Sequence, residues 1–227
     1  MSGPDTPQLP LELPHTASFK AEDYIVSECN RNAAAFIFSW PDWPAHTCIL
    51  AGPPGSGKSH LASIWQERAG GGSITAADLG KEDMASLLAT GALLVEDAGR
   101  EKLDEKALFH CLNWAREQQG NVLITARSWP AEWGISLPDL ASRLQAAPLI
   151  ELPEPDAGLL RQVLVKLFAD RQLHVSDALI DTVTSRMERS LVSAAALVAE
   201  LDRLSLARKR PLSRALALEV LNRPFFR

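Results

Sequence analysis

Gly52, Gly57, Lys58 and Ser59 stand at the spacing GxxxxGK[ST], within the run Gly52-Pro53-Pro54-Gly55-Ser56-Gly57-Lys58-Ser59. Those residue types at that spacing hold phosphate. Glycines let the backbone turn tightly enough for successive N–H groups to face one anion. A helix starting at the end of the loop adds partial positive charge. Lys58 offers a point charge for β- and γ-phosphates, and the Ser59 hydroxyl suits a magnesium ion. The contact set on this side is Pro54, Gly55, Ser56, Gly57, Lys58, Ser59 and the next residue, His60, whose side chain by itself reads as helix surface. The ligand expected is ADP or ATP with Mg²⁺, and the sequence does not choose between the two nucleotides.

Four further residues stand where they could bear on nucleotide chemistry. Glu96 and Asp97 follow the apolar run Leu93-Leu94-Val95, where a carboxylate can hold the magnesium shell and a second can orient a water. The order is unusual, since an Asp first is the commoner arrangement. Thr125 closes the run Asn121-Val122-Leu123-Ile124-Thr125 and could touch a γ-phosphate as a sensor. Arg143, in Leu140-Ala141-Ser142-Arg143, precedes the last apolar run and by itself reads as a surface arginine.

These residues need a frame. Short apolar runs at 47–51, 73–76, 92–95, 121–125 and 149–152 alternate with helical patterns at 28–39, 58–68, 81–90 and 101–118. That alternation predicts an α/β fold with a parallel sheet covered on both faces. After Pro155 the strands stop, and helical patterns at 156–171, 176–188, 191–207 and 212–222 predict a helical lid. The expected organisation is an extended tail over 1–18, an α/β nucleotide-binding core over 19–153 and a lid over 154–227. Pro4, Pro7, Pro10 and Pro14 make the tail proline-rich.

Composition narrows the function. The formal net charge is −5, which disfavours a protein whose main task is to coat DNA. Cys29, Cys48 and Cys111 have no metal spacing and read as small buried hydrophobes in a reducing compartment. No apolar stretch is long enough to span a bilayer and no secretory leader is visible, so a cytoplasmic location is expected. Trp40, Trp43, Trp114, Trp129 and Trp133 read as packing.

Four blocks resemble the AAA+ domain of the bacterial replication initiator DnaA and, more closely, the DnaA-related regulators of the Hda type. They are Phe19 to Val26 followed by Asn30-Arg31-Asn32-Ala33-Ala34, the phosphate loop, the strand Leu93 to Asp97, and Ser185 to Leu221. The resemblance implies a P-loop AAA+ parallel-sheet core with a C-terminal helical lid, and adenine contacts from Tyr24, Ile25 and Val26. It makes Arg143 an arginine finger, presented to a neighbouring molecule's nucleotide. The tail run Gln8-Leu9-Pro10-Leu11-Glu12-Leu13 is similar to the peptide by which Hda-type proteins bind the polymerase sliding clamp, with Gln8, Leu9, Leu11 and Leu13 as contacts. The chain stops at Arg227, without the initiator's helix-turn-helix domain.

The resemblance therefore implies a negative regulator of chromosome replication initiation, partnered by the sliding clamp and by DnaA and able to form a homodimer. Its job would be to stimulate ATP hydrolysis by DnaA. Val192 falls where the initiator has its lid arginine, and Ala126-Arg127-Ser128 departs from the initiator's acid-bearing segment. Both departures argue for weak intrinsic hydrolysis. Two other readings compete: an autonomous ATPase, which would hydrolyse steadily alone, and a helicase loader, which would need a helicase-binding N-terminal segment.

Overall fold

A computed structural model describes residues 21–100, 103–208 and 210–223. Five parallel strands form one sheet in the order β2-β3-β4-β1-β5. They are β1 (Thr47–Ala51), β2 (Gly72–Thr75), β3 (Ala92–Ala98), β4 (Asn121–Ala126) and β5 (Leu149–Glu151). β1 lies between β4 and β5, in the register Ala51↔Ala126 and Leu50↔Ile150. Its interior residues Cys48, Ile49 and Leu50 are fully buried, as expected for a strand covered on both faces.

The covering helices of the core are α1 (Arg31–Phe38), α2 (Lys58–Ala69), α3 (Met84–Leu87), α4 (Glu105–Glu117) and α5 (Pro138–Ala146). On one sheet face Ile37, Leu61, Trp65 and Leu94 pack together. There Trp43 stacks on Trp65 at 5.3 Å and on Phe36 at 5.5 Å. On the other face Leu108, Cys111 and Leu112 of α4 and Leu140 and Leu144 of α5 bury against Val95, Val122 and Ile124. Burial pushes the Cys48 and Cys111 thiols up to about 12, so both behave as apolar groups. Cys29 is only half-buried, with Sγ 3.1 Å from Ser27 Oγ.

Three elements differ from the sequence expectation. The pattern over 81–90 yields only the four-residue α3, because Glu82 is extended and Gly91 turns the chain at φ 78°. β3 continues through its two acids to Ala98 instead of stopping at Val95. α5 has no counterpart among the predicted helices; Pro138 at its first turn sets the helical φ, and Arg143 projects from it.

The chain divides into two compact units. Among the described residues, 21–160 with 189–191 form one, and 161–188 with 192–223 the other. The second unit is helical, from α6 (Ala157–Asp170), α7 (Asp177–Thr184), α8 (Leu191–Arg208) and α9 (Arg214–Leu221). Phe168, Ile180, Val183, Leu197, Leu201 and Val220 are buried within it. Ser176 and Ser213 cap α7 and α9, accepting from Leu179 N–H and Leu216 N–H. Arg161 pairs with Asp177 at 2.6 Å and Asp181 at 3.2 Å.

Candidate functional site

The phosphate loop, the two acids and the end of β4 meet at the C-terminal edge of the sheet, where open α/β sheets place their ligands. The loop leaves β1 at Gly52, whose N–H donates to Ala126 O at 3.1 Å. A Cβ at Gly52 would lie 2.0 Å from Leu152 O, so only glycine fits. The loop ends at Gly57, with φ 101°, directly before α2. Lys58, the first residue of α2, is buried, and its ammonium donates to Gly52 O at 2.6 Å and Pro53 O at 2.7 Å. Burial and then the Arg127 guanidinium lower the Lys58 pKa, with Asp97 opposing. Ser59 and Pro54 are exposed, while Gly55 and Gly57 are half-buried and Ser56 is buried. A glycine-turned loop at a helix N-terminus, with a buried ammonium turned onto its carbonyls, suits a polyphosphate.

β3 carries a bulge. Val95 pairs with Ile124 and Ala98 with Ala126, so Glu96 and Asp97 together face the single residue Thr125. Asp97 sits at φ 56°, and its N–H donates to the Thr125 hydroxyl at 3.2 Å. Glu96 keeps the strand register opposite Thr75 of β2. Burial, and then the Asp97 carboxylate, raises the pKa of Glu96 above the ordinary carboxylate value. The two acids thus differ in surroundings as well as in direction.

Sequence reasoning did not assign Arg127 a role, yet it stands at this edge. It follows Ala126, the residue bonded to Gly52, and its Nε lies 3.6 Å from Asp97 Oδ1. Arg100 Nη1 lies 3.4 Å from Asp97 Oδ2. Both oxygens of Asp97 thus face guanidinium groups at 3.4 and 3.6 Å, and Ser59, Glu96 and Asp97 are the groups that could hold a magnesium ion. Among the described residues no cluster of three His, Cys, Asp or Glu side chains could do so. These ion pairs are half-exposed and weak individually. Arg127→Ala is expected to weaken ATP binding by about three- to tenfold, the scale of one exposed charge-assisted contact. Titration of a fluorescent ATP analogue measures it.

The leading segment also meets α2. Asn30 is buried and ties it down: its Nδ2 donates to Ile25 O at 2.9 Å and its Oδ1 accepts Ser27 N–H at 2.7 Å. The Tyr24 ring meets His60 edge-on at 5.2 Å and Phe38 at 6.2 Å, which links the segment to the first turn of α2. Tyr24 Oη is buried, and that burial raises the phenol's pKa well above its ordinary value. Ile25 is half-buried and Val26 is 47% exposed, an apolar edge of the kind a base can lie against. His60 is half-buried beneath Tyr24 rather than lying on the helix surface.

The segment 189–191 also reaches the loop. Leu191 N–H donates to Gly55 O at 2.8 Å, and a Cβ at Gly55 would lie 2.1 Å from Ser190 Oγ. Val192 is 67% exposed. Arg143 is not drawn into this site. Its guanidinium lies over the Phe109 ring, 5.1 Å from the centroid, and among the described residues it makes no ion pair. Gln8, Leu9, Leu11 and Leu13 lie outside the described residues, as do Phe19 and Lys20. No helix among the described residues is long and apolar enough to cross a membrane.

No family model matches the chain, and no curated protein matches it in sequence. Solved structures do match in fold. Domain III of the replication initiation protein DnaA from Thermotoga maritima superposes with a TM-score of 0.78 at 16% identity, covering 92% of this chain and 98% of that one. AMPPCP-bound DnaA from Aquifex aeolicus gives 0.68 at 18% identity, over 84% of this chain and 68% of its own. A single-residue variant of RuvB from Thermotoga maritima gives 0.69 at 16% identity, over 90% of this chain and 71% of its own. The chain shares the parallel-sheet α/β fold of DnaA domain III and RuvB.

Proposed function

We propose that the chain is a nucleotide-bound regulator of replication initiation. It docks on the DNA-loaded polymerase sliding clamp and stimulates ATP hydrolysis by the initiator DnaA, to whose nucleotide it supplies Arg143. The observation that carries this reading is the distribution of charge. In the chain's own phosphate site the acid Asp97 is engaged by Arg100 and Arg127. Arg143, half-exposed on α5, has no acidic partner among the described residues. The first arrangement disfavours hydrolysis at home, and the second leaves a guanidinium free to act elsewhere.

A bound nucleotide would supply the phosphate charge that organises the loop, and its magnesium ion would add Lewis acidity. The chain's residues would do the rest. The loop N–H groups and Lys58 would neutralise the phosphates, Ser59, Glu96 and Asp97 would hold the ion, and the Thr125 hydroxyl would keep Asp97 in place by accepting its N–H. Tyr24, Ile25 and Val26 would line the base. Such a ligand stabilises the fold by binding only the folded state. The net charge of −5 suits protein partners better than naked DNA, and a cytoplasmic location fits this work.

The tail provides the test of docking. Gln8 with Leu9, Leu11 and Leu13 would offer one polar and three apolar side chains to an apolar pocket on the clamp. Replacing Gln8 and Leu11 together with alanine is expected to lower clamp capture at least about tenfold, since two anchors of a short peptide carry most of its affinity. Capture at the parent level in a pull-down would remove the tail from the mechanism. An autonomous ATPase would instead hydrolyse ATP steadily when purified alone.

A further inference from the structure

Glu105 and Phe109 are four residues apart on α4 and so share one face of that helix. That face meets α5 and the residues leading into it. The Glu105 carboxylate accepts Ser136 N–H at 3.0 Å and Leu137 N–H at 2.6 Å. Those backbone donors hold the Glu105 pKa below the usual carboxylate range. One turn further along α4, the Phe109 ring lies under the Arg143 guanidinium. Phe109 itself packs on the buried cluster of Leu108, Leu140 and Leu144, so the ring is anchored from below.

An arginine on a short surface helix has many rotamers open to it. Ordering it on docking costs free energy that a fixed ring has already removed. A guanidinium is planar and stacks on an aromatic face, a contact lysine does not reproduce equally well. The contact leaves the N–H donors at the guanidinium edge available, whereas a carboxylate partner would occupy them. We infer that Phe109 is a positioning residue for Arg143: its ring holds the guanidinium ready to meet the polyphosphate of a second, docked molecule, while Glu105 fixes the start of the helix that carries it. This inference rests on the reading that Arg143 acts on another molecule's nucleotide.

The test uses the full chain, ATP-loaded DnaA and clamp on DNA. Phe109→Leu keeps an apolar side chain but loses the ring; Phe109→Trp keeps a ring. Phe109→Leu is expected to lower the maximal rate of DnaA-bound ATP hydrolysis by about three- to tenfold, with the half-saturating concentration unchanged. Phe109→Trp is expected to retain most of that rate, and Phe109→Leu should cost nothing further in a chain that already carries Arg143→Ala. Thermal unfolding of each variant is followed alongside. Full stimulation by Phe109→Leu would overturn the inference. So would equal loss by the leucine and tryptophan variants in step with their melting temperatures, because the ring would then be packing only. Full stimulation by Arg143→Ala marks a different failure, that of the trans reading itself.

Discussion

Arg143→Ala is expected to abolish stimulation of ATP hydrolysis by DnaA while leaving folding, nucleotide binding and clamp capture at the parent level. The side chain is half-exposed, makes no ion pair among the described residues and touches the fold chiefly through the Phe109 ring. Its loss therefore removes little from stability, less than about 1 kcal/mol. In catalysis the effect is far larger. A guanidinium inserted beside a transferring phosphoryl group neutralises charge that builds in the transition state, and such a group accelerates hydrolysis by about 10³- to 10⁵-fold. Arg143→Lys keeps the charge but loses the fork and the stacking, so only a small part of the rate should return. The measurement is single-turnover hydrolysis of DnaA-bound ATP across the three chains.

Lys58→Ala is expected to weaken nucleotide binding by about 30- to 150-fold, the equivalent of roughly 2–3 kcal/mol for a charged hydrogen bond to phosphate. The ammonium is buried, and burial already lowers its pKa. A polyphosphate restores the charge balance that the Gly52 and Pro53 carbonyls meet only with dipoles. Truncation also leaves those two carbonyls without their donor, so the loop itself should loosen. Isothermal titration with ADP and with ATP checks both consequences. Equal affinities for parent and variant would remove the loop from nucleotide binding.

Lys58 and Arg127 differ in how legible they are in the sequence. Lys58 was legible because the chemistry of a phosphate loop is local: its defining residues, from Gly52 to Ser59, lie in one unbroken run. The strands were legible for the same reason, as unbroken apolar runs between turn residues. Arg127 was not, because its place depends on register. Only the pairing of β3 with β4 sets it beside Asp97, and the bond from Gly52 N–H to Ala126 O sets it beside the phosphate loop.

The bulge at Glu96 and Asp97 hid the extent of β3. Two acids in sequence argue for a strand end, yet Glu96 pairs with Thr75 and remains half-buried, and Asp97 is turned out at positive φ. α5 escaped because the interval before it, through Gly134 at φ 65°, carries no helical period. With α5 unseen, the stacking of Arg143 on Phe109 could not be anticipated, since the two residues are far apart in sequence and meet only through the packing of α4 on α5. His60 shows the converse. A polar residue on the first turn of a helix reads as surface, but the fold brings Tyr24 over it.

The central claim is that this chain completes the nucleotide site of another molecule instead of working on its own. The most direct measurement follows [γ-³²P]ATP bound to DnaA, with this chain and DNA-loaded clamp each present or absent. The account predicts rapid release of labelled phosphate only when both are present, and slow release with either alone. Slow release in the complete mixture would contradict it.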